Sequence, residues 1–64
     1  MQHKLTPREI QVLKLLIQGL TNSEIANILK ISSHTIKTHV QTIIQKYRVK
    51  NRIQAAIIAK QSGI

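Results

Sequence analysis

Between His34 and Gln45 the chain carries His34, Lys37, Thr38, Gln41, Thr42 and Gln45, with no carboxylate anywhere in the segment. On a helix turning by about 100° per residue these six side chains share one face. Lys, Gln, Thr and His are the residue types that hydrogen-bond to base edges and to phosphate oxygens. A merely solvated helix face more often mixes Glu with Lys in i, i+4 pairs. Taken alone, though, such a face reads first as ordinary exposed surface. Other chemistry has little to stand on. The chain has no Asp and no Cys, and its two acids, Glu9 and Glu24, occupy helix-cap positions. His34 and His39 lie about 140° apart on a helix, too far round for one metal ion. Gly19 and Gly63 are the only glycines, so no phosphate-cradling loop exists. The residues point to no enzyme, no metal and no cofactor.

The charge balance favours a polyanion as partner. Net charge is +8 over 64 residues. Residues 33–64 hold Lys37, Lys46, Arg48, Lys50, Arg52 and Lys60 without a single acid, whereas residues 1–32 offset four cations with Glu9 and Glu24. A basic excess gathered in one half suits nucleic acid better than it suits solubility alone. Length allows one small domain, residues 1–64, with a single core. The absence of cysteine fits the reducing cytoplasm. The longest apolar runs, Leu15–Ile17 and Ala55–Ala59, fall far short of a membrane span.

The elements that must carry the 34–45 face are legible from their caps. Thr6-Pro7-Arg8-Glu9 is a capping box with proline at the first helical position. The helix it starts, over 7–18, shows one face of Ile10, Leu13, Leu16, Ile17 and Leu20, and Gly19 stops it. Thr21-Asn22-Ser23-Glu24 is a second box, opening a short helix over 22–29 with Ile25, Ala26, Ile28 and Leu29, and Lys30 is placed in its last turn. Ser32 caps a third helix over 33–47, whose apolar stripe is Ile36, Val40, Ile43, Ile44 and Tyr47. Asn51 and Gln54 start a fourth, over 51–62. The expected fold is all-α, a compact four-helix domain. A short helix, a three-residue break and a longer helix form a helix-turn-helix unit, with Ala26 small at the crossing and Ile36 packing back. In that unit the longer helix enters the major groove. Amides around Asn22, Ser23 and Ser33 are placed to hold phosphate oxygens.

Several runs fall in order at the spacing of one known family. They are Leu5–Glu9, Gly19–Ala26, Ile31-Ser32, Thr35–Val40, and Val49–Arg52 with Ala55-Ala56. Across essentially the whole chain this sequence resembles the DNA-binding domain of LuxR-type (NarL/FixJ-like) bacterial transcription regulators. The resemblance implies a recognition helix at 33–47 and a homodimer contact on the fourth helix, where the apolar residues Ile53, Ile57 and Ile58 are the candidates. It implies base contacts from Lys37, Thr38 and Gln41, and the outward face of the same helix adds His34. Backbone contacts follow from Thr35 and Lys46, with Asn22, Ser23, Ser33, Thr42 and the Arg48–Arg52 cluster. Double-stranded DNA is the implied partner and RNA polymerase a further one, with no membrane and no small molecule bound by this chain. Such domains are commonly joined to a receiver or ligand-binding domain. Gln41 stands where many members carry a basic or small polar residue, Tyr47 where leucine is usual, and Lys30 at a turn that often prefers glycine.

Rival readings are a sigma-factor promoter-reading end, a cationic amphipathic module at anionic membranes, and an inhibitory partner using the fourth helix alone. Separately capped helices around a defined turn disfavour the membrane module. The fourth helix disfavours the sigma factor, because it carries two apolar stripes: Ile53, Ala56 and Ile57, and beside them Ala55, Ile58 and Ala59. Either both stripes are core, or part of the surface around Ile57 meets a second copy.

Overall fold

The computed structural model describes residues 4–64, so the first three positions of the expected domain lie outside the described residues. Four helices follow one another: α1 (Pro7–Ile17), α2 (Asn22–Leu29), α3 (Ser33–Tyr47) and α4 (Arg52–Gln61), with no strand among the described residues. Each start is chemically capped. Thr6 Oγ1 accepts the Glu9 amide at 3.2 Å, and Glu9 Oε1 accepts the Thr6 amide at 2.9 Å. Thr21 and Glu24 repeat the exchange at 3.2 and 2.8 Å. Ser32 Oγ accepts the Thr35 amide at 3.1 Å, and Asn51 Oδ1 accepts the Gln54 amide at 2.9 Å. Gln54 returns its own bond to the Lys50 amide, one residue before the cap.

Helix ends differ from expectation by single residues, each for a local reason. Gln18 is the cap of α1 rather than its last residue, and Gly19 follows in the left-handed region at φ 85°. Asn51 and Ser62 likewise flank α4 instead of belonging to it. Lys30 lies beyond the last turn of α2, not in it. It is the left-handed cap at φ 61°, and Arg48 closes α3 in the same way at φ 55°. A side chain with a Cβ pays about 1–2 kcal/mol for that conformation.

The core forms where α1 meets α3 and α4, and α2 closes it from the side. Because α1 is covered by two helices, it buries a wider arc than one stripe: Val12, off the expected face, is fully buried beside Leu13 and Leu16. Ile10 and Ile17 are only half-buried. From α2 come Ile25 and Ala26, and from α3 Ile36, Val40 and Ile43, as their spacing predicts. Ile28 departs from its expected place and is 54% exposed. On α4 the buried residues are Ala55 and Ala59, whose small side chains let the helix backbone sit close to the core. Ile53 and Ile57 remain 68% and 51% exposed, and Ile58 38%. The alternative in which both α4 stripes are core is therefore overturned.

Candidate nucleic-acid interface

The capping and packing of α3 leave one long face in solvent. Its apolar stripe turns inward, so Ser33, His34, Lys37, Thr38, Gln41 and Gln45 are exposed and Thr42 is half-buried at the margin. Thr38 donates its hydroxyl hydrogen to the His34 carbonyl at 3.3 Å, and Thr42 donates to the Thr38 carbonyl at 3.0 Å. Both hydroxyl oxygens still have lone pairs to offer outward. Thr35 is half-buried, with its hydroxyl 2.9 Å from that of Ser32. The Ser32 side chain takes only the Thr35 amide, which leaves the amides of Ser33 and His34 at the positive end of α3.

A second group lies at the start of α2. There Thr21 takes the Glu24 amide, leaving those of Asn22 and Ser23 unclaimed among the described residues. Ser23 is exposed, while Asn22 is half-buried because its side chain is engaged. Arg52, at the start of α4, donates to Asn22 Oδ1 at 2.7 Å and to the Leu20 carbonyl at 3.2 Å. Arg52 was visible in the sequence as one of a basic cluster. No local spacing connects it with Asn22, thirty positions away.

Lys46 has an internal commitment that the sequence did not reveal. Its ammonium donates to Glu9 Oε1 at 2.7 Å and to the Lys4 carbonyl at 3.0 Å. The pair is largely shielded, with 21% and 7% of the two side chains exposed. An ammonium has three donors, so one remains after these two bonds, and most of the charge is answered inside the domain. Burial pushes the Glu9 carboxyl upward. The Lys46 hydrogen bond, the Thr6 amide and the Lys46 charge together outweigh it and hold the carboxyl below its usual 4.5. The half-buried Tyr47 hydroxyl is pushed above 10.0 by burial and stays neutral. His39 is half-buried beside the stripe, and no cluster of metal-ligating side chains occurs among the described residues.

The end of α1 and the outer face of α4 flank an open cleft of about 340 Å³, lined by Leu16, Ile17, Gly19, Leu20, Ile53, Ala56 and Ile57, with Arg52 and Lys60 also lining it. Two kinds of surface thus occupy one small body, a carboxylate-free hydrogen-bonding face on α3 and a largely apolar groove at α4.

Residues 3–59 match the family model of bacterial regulatory proteins, luxR family. The chain belongs to that family. It is similar to the nitrate/nitrite response regulator NarL of Escherichia coli K12, with 44% identity over 62 residues. That match covers 97% of this chain and 29% of the regulator, so the chain spans less than a third of its relative's length. Among solved structures it resembles the DNA-binding domain of the response regulator ComA, solved in complex with the anti-activator RapF. The TM-score is 0.85 at 40% identity, covering 89% of this chain and 98% of that one. It also resembles the transcription factor GerE, with a TM-score of 0.84 at 34% identity over 95% and 92% of the two chains. The four-helix, helix-turn-helix architecture is the luxR-family fold. As a luxR-family domain the chain is a DNA-binding unit of transcription regulation; catalysis is not the family's work.

Proposed function

We propose that the chain binds double-stranded DNA sequence-specifically, with α3 in the major groove, and regulates transcription as a homodimer on paired half-sites. The observation that carries this reading is the exposed, carboxylate-free face of α3. A groove about 12 Å wide admits roughly the first turns of that helix, so Lys37, Thr38, Gln41 and His34 read base edges. The free amides at the starts of α2 and α3, with Asn22, Ser23, Ser33, Thr35 and Thr42, hold phosphates on either side. Lys46 adds its one remaining donor to the backbone. The α4 residues Ile53, Ile57 and Ile58 pair with the same residues of a second copy, an isologous contact that places two recognition helices in two-fold relation. The domain acts in the cytoplasm as the output unit of a response regulator, with RNA polymerase as a further partner.

Affinity for duplex DNA measured against salt concentration tests the reading. A dimer with roughly 6–10 phosphate contacts loses about 10³–10⁵ in affinity between about 50 and 200 mM salt. A flat response over that range contradicts the proposed interface.

A further inference from the structure

Arg52 lines the α4 groove and reaches across to the start of α2. It is the first residue of α4, next to Ile53, and its guanidinium reaches Asn22, the first residue of α2. Both terminal nitrogens are engaged: Nη1 donates to Asn22 Oδ1 at 2.7 Å and Nη2 to the Leu20 carbonyl at 3.2 Å. Arginine has donors and no acceptor, so the atom of the Asn22 carboxamide that faces it must be the oxygen. The Nδ2 group, on the other arm of the same carboxamide, then carries both N–H bonds away from the guanidinium. The backbone amides of Asn22 and Ser23 lie at the same helix start. Once the oxygen is occupied, everything Asn22 still offers an incoming anion is a donor. A carboxamide without this partner can rotate and present its oxygen instead, which repels a phosphate.

We propose that Arg52 is a positioning residue for DNA binding. It locks the Asn22 carboxamide with its donors toward the phosphate backbone, and it ties that grip to the helix that pairs two copies. The inference rests on the DNA-binding reading above and adds a role for a side chain that never touches a base.

The decisive variant is Asn22→Asp. Aspartate keeps an oxygen for Arg52 and makes that bond charge-assisted. An acid in the first turn also suits the helix dipole, so the thermal midpoint should hold or rise. What disappears is the donor. Asn27, exposed on the same helix, supplies the charge control as Asn27→Asp. On a random-sequence duplex at low salt, Asn22→Asp should bind roughly five- to fiftyfold more weakly than Asn27→Asp. Arg52→Lys, which keeps the charge but loses the fork, should weaken the native domain and add nothing in the Asn22→Asp background. Equal binding by the two aspartate variants overturns the proposal, and so does an Arg52→Lys penalty of the same size in both backgrounds. If Arg52→Lys does not fold, the aspartate pair still decides. Failure of the unaltered protein to bind the duplex would overturn the DNA-binding reading itself, a result distinct from either of these.

Discussion

Lys37 and Lys46 share α3 and differ in what answers their charge. Lys37 is exposed on the outward face, whereas Lys46 is bound to Glu9 and the Lys4 carbonyl. Lys37→Ala should therefore cost about 1–3 kcal/mol on the preferred DNA site and little on random DNA. Its unfolding free energy should stay within about 0.5 kcal/mol of native. Lys46→Ala leaves the Glu9 carboxylate shielded and without its cation, so urea unfolding should show a loss of about 1–3 kcal/mol. Equal stability of the two variants would mean the ion pair holds nothing together. Glu9 also sets a pH dependence. Its folded carboxyl titrates below its usual 4.5, so the stability it contributes is complete above the unfolded value and is lost as pH falls through the folded one. Urea midpoints taken from about pH 6 down to pH 3 should fall less steeply in Glu9→Gln than in the native chain. The capping role of Glu9 was legible because a capping box is contained in four consecutive residues. Its pairing with Lys46 was not, since that contact spans 37 positions and depends on how α3 crosses α1.

At the scale of the element, starts were more legible than ends. A helix start is fixed by side chains that bond their own backbone, as Thr6, Thr21, Ser32 and Asn51 all do. An end depends on whether a residue accepts the left-handed region, and Lys30 and Arg48 do so without being glycine. Lys30→Gly should relieve that conformation and raise the unfolding free energy by about 0.5–1 kcal/mol, partly offset by the freedom glycine gains in the unfolded chain. A urea titration at constant salt checks the sign, and a lower midpoint would show that the Lys30 side chain contributes packing worth more than the strain. Helix α4 shows where periodicity stops informing. It carries two apolar stripes side by side, and the positions that prove to be buried are the alanines Ala55 and Ala59, because the helix backbone lies against the core. The isoleucines Ile53 and Ile57 were the more hydrophobic candidates and are the exposed ones. The same limit applies to Ile28, which fits the α2 stripe by spacing and still faces solvent.

At the scale of the whole molecule, a body 31 × 20 × 19 Å across carries its α3 face and its α4 groove on one small core. A surface on α4 with three exposed isoleucines beside a largely apolar cleft has more to bury than the monomer covers. Ile57→Glu should leave the helical content intact, since the residue is 51% exposed, and should abolish cooperative binding to paired half-sites. Circular dichroism and a titration on a two-site duplex check both halves of that expectation. The most direct test of the account is selection of bound sites from random duplex DNA by the unaltered chain. Two copies of one short sequence should emerge in inverted orientation at a fixed separation, because α3 reads bases and α4 pairs the readers across a two-fold axis. Recovery of a single unpaired motif, or of no preferred sequence at all, would contradict it.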